Sequence, residues 1–191
     1  MALLRDNQER LMSGEELFRR PDLAPCELVN GRVVPLMPTG HVHGFVESKL
    51  TRQLVAWVEG SGLGSILSGE VGIYIRRNPD TVRAADILFI SNDRFAGQGP
   101  SGYLDVAPEL VVEVLSPDDR WTDVVEKIED YLSAGVDRVW ILDSKARKIF
   151  AYRSATEVEQ FVEGQILTDE KILPGFRLTV SDLFPRGGGA S

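Results

Sequence analysis

Apolar residues along this chain recur at two periods, and the switches between them mark its elements. Ser13-Gly-Glu-Glu16 reads as a capping box opening a short helix to about Arg20, where Pro21 stops it. Cys26 to Pro35 reads as a hairpin turning at Asn30-Gly31. Val46, Leu50, Leu54, Trp57 and Val58 then fall at helical spacing, predicting a helix over 43–59 that breaks at Gly60, Gly62 and Gly64. Strand patterns follow at 65–67, 71–76 and 84–90, then a loop over 91–103 and a strand over 110–115. Trp121, Val124, Val125, Ile128 and Leu132 mark an amphipathic helix ending at Gly135, with an apolar strand at 138–143 after it. Strands at 149–152, 158–162 and 176–180 read as a meander, closed by a helical turn over 181–184, and the tail 186–191 is expected to be disordered.

Helix, three strands, helix and strand in that order imply an α/β core with a mixed β-sheet, extended by the N-terminal hairpin and the C-terminal β meander. No repeat or linker divides the chain, so residues 1–185 are expected to form a single domain. The 43% hydrophobic and 26% charged fractions are ordinary for a globular protein. No apolar run approaches the roughly 20 residues that span a bilayer, and the N-terminus lacks a signal-peptide pattern. A cytoplasmic location without membrane contact is therefore expected. Cys26 is the only cysteine, which excludes an internal disulfide and a cysteine zinc site.

The net charge of −8 opposes non-specific attraction to nucleic acid. It is also concentrated, because residues 104–137 hold ten acids and two bases and so carry the whole excess. Solvated helix faces account for most of those acids but not for Glu113. It sits inside Leu110-Val-Val-Glu-Val-Leu115, a strand pattern apolar toward both faces. An ionised carboxylate there costs several kcal/mol unless it is paired or holds a metal. Ala84-Ala-Asp-Ile-Leu-Phe-Ile90 repeats the pattern with Asp86, and two such acids suggest a shared site for a hard cation.

Lys127 falls on the border of its helix's apolar stripe, beside Val124 and Tyr131. Two readings stand for it: an ion pair with Asp123 or Asp130 on the same helix, or an ammonium turned toward the strand carboxylates. Two carboxylates with a lysine form a kit for phosphoryl chemistry. The acids hold Mg²⁺ or Mn²⁺, and the lysine orients water or offsets developing charge.

Several segments carry a resemblance: Glu27-Leu-Val-Asn-Gly31, His43, Ala85-Asp86-Ile-Leu, Leu110-Val-Val-Glu-Val-Leu-Ser-Pro117, and Lys127 with Tyr131, Gly135 and Val139-Trp140. In them the chain resembles the Uma-type family of restriction-endonuclease-like proteins, within the PD-(D/E)XK nuclease superfamily. The resemblance runs from about Ser13 to Phe184. It implies a restriction-endonuclease-like fold and a metal-dependent endonuclease hydrolysing phosphodiester bonds. Asp86 and Glu113 would be metal ligands and Lys127 the catalytic cation, with nucleic acid, DNA above RNA, as substrate. The superfamily's Pro-Asp reads Ala85-Asp86 here. Its lysine two residues past the acid is replaced by Leu115, and Lys127 stands where the family carries the lysine on the following helix. A homodimer is implied too, with soft support from the many apolar residues of the C-terminal meander (Phe150, Phe161, Ile166, Leu167, Ile172 and Leu173).

Other residues read more modestly. His41 and His43 precede a helix without evident partner ligands, although His43 matches the family pattern. Glu27 reads as a buttress of the hairpin, and Glu47 and Glu70 as solvated. Cys26 reads as a small apolar residue, and Ser116 lacks the turn of a hydrolase nucleophile. Two competing functions remain open: a non-catalytic binding or assembly protein on a nuclease fold, and a hydrolase of small phosphate esters. The first draws on the acidic balance and on the lack of a basic, aromatic-laced stretch in the sequence.

Overall fold

A computed structural model describes residues 10–117 and 119–185. Helix α1 spans Gly14–Phe18, capped by the Ser13/Glu16 box. Strands β1 (Cys26–Val29) and β2 (Arg32–Pro35) form the hairpin, with Asn30 and Gly31 both at positive φ, as a tight Asn-Gly turn requires. Helix α2 covers His41–Ser61 and ends on Gly62 in the left-handed conformation. Next come β3 (Gly64–Arg76), β4 (Thr81–Ser91), a one-turn helix α3 (Asn92–Phe95) and β5 (Leu110–Val114). The chain then forms α4 (Trp121–Ser133), β6 (Arg138–Asp143), β7 (Lys148–Tyr152), β8 (Val158–Val162), β9 (Ile166–Asp169) and β10 (Leu173–Thr179).

Eight strands make one mixed sheet in the order β2-β1-β4-β5-β6-β7-β8, with β3 also paired to β4. Only β5 and β6 run parallel, joined by the crossover helix α4. Because β3 pairs with β4 along most of its length, β1 and β5 must share the opposite side of β4. There β1 meets β4 at Val82, and β5 meets it at residues 87–89. Between these contacts the sheet forks, and the backbone of β4 over 83–86 faces side chains instead of a strand.

Each face of the sheet carries its own core. Val46, Leu50, Leu54 and Val58 of α2 pack with Ile87, Phe89, Leu110, Val112 and Trp140. Val124, Ile128 and Tyr131 of α4 pack on Ala85, Leu88, Val111, Val139 and Ile141. This two-sided burial explains why β5 reads as a continuous apolar run. Strand parity sends Leu110, Val112 and Val114 toward α2, so Val111 and Glu113 face α4.

Some expectations need correction. The patterns at 65–67 and 71–76 belong to one strand, because a bulge between Ser68 and Val71, with Gly69 and Glu70 at positive φ, carries β3 through the apparent break. The segment 91–103 holds α3, whose cap is the Ser91 side chain accepting from Arg94 N–H. The C-terminal strands are not one meander: β7 and β8 extend the main sheet, whereas β9 and β10 form a separate two-stranded sheet. Phe161, Leu167, Ile172 and Leu173 are buried in the α2-side core of the single chain. The apolar surplus offered as a sign of dimerisation is thus largely accounted for within one molecule. The tail 186–191 lies outside the described residues. Among the described residues no helix is long and apolar enough to cross a membrane.

Candidate active site

Asp86 and Glu113 meet at the mouth of the fork. The β4–β5 ladder ends where Ile87 pairs with Val112, and Asp86 and Glu113 are the residues immediately beyond that pair, where the strands part. Both residues are buried. Asp86 Oδ2 accepts a 2.7 Å hydrogen bond from Val114 N–H, so Asp86 takes the place of the next ladder contact.

α4 completes the pair from above. Tyr131 Oη donates to Glu113 Oε1 at 2.7 Å, and Lys127 Nζ lies 3.3 Å from Glu113 Oε2. The same ammonium is 3.0 Å from Glu27 Oε1 on β1. Of the two readings of Lys127, the structure selects the strand carboxylates, since Asp130 is engaged by Arg76 and Arg83 instead. Glu27 also fills the fork: Oε1 accepts from Ala84 N–H at 3.1 Å and Oε2 from Arg83 Nη1 at 3.0 Å. Its role as a buttress is real, and it reaches the site as well.

α2 closes the other side. His43 Nε2 lies 3.3 Å from Asp86 Oδ2, and its Nδ1 is 3.9 Å from Glu47 Oε2. That Nδ1 is buried without a hydrogen-bond partner. Glu70, on the β3 bulge, completes the surroundings. His41 and Ser116 show no contact with the cluster, and Cys26 stays partly buried beside Leu28 and Val82. A small cavity of about 60 Å³ opens beside Glu113 and Lys127, lined also by Asp119 and Asp123.

The electrostatics follow from a surplus of buried carboxylates. Burial pushes the Glu113 carboxyl up to about 8; Asp86 and Glu27 add to the rise, and Lys127 and Tyr131 oppose it. Burial and the Asp86 charge also raise Glu47 and Glu70. For Lys127, burial disfavours the cation, but Glu113 and Glu27 outweigh it and hold the ammonium above the usual lysine range. His43 follows the same logic: burial works against its charge, and Asp86, then Glu47 and Glu70, raise it above the usual value. Burial lifts the Tyr131 phenol well above its ordinary value, which keeps it a donor to Glu113. Such a surplus of hard oxygens suits a divalent cation. Among the described residues no group of three or more His, Cys, Asp and Glu forms a metal cage. Two carboxylates with water filling the remaining positions is the common manner of Mg²⁺ binding.

The family model Uma2, described as "Putative restriction endonuclease", matches residues 15–181. The chain belongs to this family. Among solved structures, the fold is similar to one described as a putative nuclease belonging to DUF820 from Anabaena variabilis ATCC 29413, with a TM-score of 0.75. That match is 23% identical and covers 91% of this chain and 97% of the other. It confirms the restriction-endonuclease-like architecture, to which the Uma2 match adds the family. A comparison with curated proteins gave no match.

Three contributors belonged to the resemblance but were given no site role by their local pattern: Tyr131 read as part of an apolar stripe, Glu27 as a prop, and His43 as a residue without partner ligands. The available signal was Glu27 itself, a carboxylate between Cys26 and Leu28 in a short strand, which raises the same burial problem as Glu113.

Proposed function

We propose that this protein is a metal-dependent endonuclease that hydrolyses phosphodiester bonds in nucleic acid, with DNA as the favoured substrate. The observation that carries the reading is that Asp86, which accepts from Val114 N–H, sits beside Glu113 where β4 and β5 part, with the Lys127 ammonium 3.3 Å from Glu113. Asp86 and Glu113 would hold Mg²⁺ or Mn²⁺, supported by the surplus of buried carboxylate around them. Bound there, the cation supplies Lewis-acid polarisation of a phosphate and a more acidic water.

The chain's own residues supply the rest. Val114 N–H and His43 fix the Asp86 carboxylate, leaving Oδ1 without a hydrogen bond among the described residues. Tyr131 fixes Glu113. Lys127 stays cationic at neutral pH because two carboxylates flank it, so it can orient a water or stabilise charge on the phosphate. Glu27 holds that lysine from the far side of the fork. Membership of the Uma2 family supports the same reaction class.

The test is incubation of the purified protein with Mg²⁺ or Mn²⁺ and a panel of single- and double-stranded DNA and RNA. Cleavage that EDTA stops and Asp86→Asn abolishes is the expected result. Metal-independent cleavage, or none with any substrate, would sink the reading.

A further inference from the structure

The chain is acidic overall, but α2 is not. Between His41 and Val58 it carries one acid, Glu47, which faces His43 and the site. Phe45, Lys49 and Arg52 follow one another at i, i+4 and i+7, a single stripe turned away from the sheet. Phe45 is 40% exposed. Lys49 Nζ sits 5.5 Å from the centroid of its ring. Among the described residues neither Lys49 nor Arg52 is in an ion pair, whereas most arginines are. The stripe and Gln53 line an open cavity of about 440 Å³ together with Ser181, Phe184 and Asp182, the one acidic residue of its lining. Arg147, ion-paired with Glu163, lies 5.2 Å from the centroid of the Phe184 ring.

We propose that this face of α2 docks a single nucleic-acid strand, with Lys49 and Arg52 on successive phosphates and Phe45 as a stacking platform for a base. The proposal rests on the nuclease reading above and extends it to how substrate is held. Charge complementarity selects the occupant. Two cations without an ion pair among the described residues, beside an exposed ring on a chain of net charge −8, form a local electropositive strip with the composition of single-strand binding grooves. His43, which meets Asp86, lies on the same helix. At 1.5 Å per residue, Lys49 and Arg52 stand about 9 and 14 Å along the axis from it. That distance corresponds to no more than about four nucleotides of strand. The strip is a spatial feature of three residues on one helix face, so it forms no basic run in the sequence.

Fluorescence anisotropy with a labelled single-stranded oligonucleotide and its duplex, in EDTA so that no cleavage occurs, tests the proposal. Lys49→Gln and Arg52→Gln should each weaken single-strand binding about tenfold and flatten the dependence of log K on log salt by about 0.7. Phe45→Ala should weaken single-strand binding about tenfold and leave duplex binding little changed. Arg19→Gln removes a cation near α1, beside other cavities, and should change neither. Thermal melts confirm that each variant is folded. The proposal is overturned if Arg19→Gln weakens binding as much as Arg52→Gln, if the duplex binds tighter, or if the wild type fails to bind single strands up to about 100 μM. Loss of cleavage with Mg²⁺ but retained, Arg52-dependent binding would reject the nuclease reading and leave this surface standing.

Discussion

Lys127 Nζ lies 3.0 Å from Glu27 Oε1, joining helix α4 to strand β1 across the fork in the sheet. The contact turns a packing defect into a site. Where β1 and β5 part, β4 loses its strand neighbours over residues 83–86. Glu27 covers the exposed Ala84 N–H, and Asp86 covers the Val114 N–H. Polar side chains at this point meet the requirement that buried backbone groups be satisfied, and they leave carboxylates gathered beside an ammonium.

Glu27→Ala is expected to destabilise the protein by about 2–3 kcal/mol, because it leaves the buried Ala84 N–H without its acceptor and removes one partner each from Lys127 and from Arg83, which keeps Asp130 and Glu126. Glu27→Gln retains an acceptor for Ala84 and should cost about 1–2 kcal/mol. Urea denaturation of both variants measures this. A change below about 0.5 kcal/mol for Glu27→Ala would show that the fork tolerates an open cleft.

Lys127→Ala should lower cleavage by at least about 100-fold, the scale of losing one charge-stabilising group. Metal binding should survive, since Asp86 and Glu113 remain. Calorimetric titration with Mg²⁺ separates the two effects. If metal binding and thermal stability fall in step with activity, the lysine is structural.

Asp86→Asn should fold normally, because the amide oxygen can still accept from Val114 N–H. It also removes the charge that helps to raise Glu113, Glu47 and Glu70, so stability in EDTA should match or exceed the wild type. What it should lose is the response to metal. At a hundred times the dissociation constant, Mg²⁺ stabilises a binding-competent form by about 2.7 kcal/mol. An Asp86→Asn variant whose melting temperature rises with Mg²⁺ as much as the wild type's would move the cation site elsewhere.

The acids of the site were legible for a physical reason. An ionisable residue in a strand apolar on both faces is costly, and that cost is visible in one dimension. Lys127 was half legible: helical periodicity placed it on the border of the stripe, and only the three-dimensional path of α4 over β5 and β1 chose its partners. His43, Glu27 and Tyr131 belonged to the family resemblance, but local pattern did not mark them as site residues. Their contacts cross from α2, β1 and α4 to a common point, and local pattern carries no information about such convergence. The β9–β10 sheet failed for the same reason. Leu167, Ile172 and Leu173 are buried by folding back onto the α2-side core, a long-range event that alternation along the chain does not encode.

Glu113→Gln gives the sharpest test of whether the site is held at a cost to the fold. Burial raises the Glu113 carboxyl from its ordinary value near 4.5 to about 8 in the folded protein. Between those values the folded form keeps a proton that the unfolded form releases, so ionisation of this group works against folding. Its contribution to stability is fully favourable below about pH 4.5 and is lost progressively as pH rises toward 8, by at most about 1.4 kcal/mol per unit. Gln keeps the shape and the acceptor for Tyr131 without that ionisation. In EDTA the variant should therefore melt above the wild type, with a gap that widens from pH 5 to pH 8. Millimolar Mg²⁺ should narrow or reverse the gap, because only the wild type binds it well. A variant less stable than the wild type across this range in EDTA, with a wild type indifferent to Mg²⁺, would mark Glu113 as a structural partner of Lys127 and Tyr131 and leave the cation site without its second ligand.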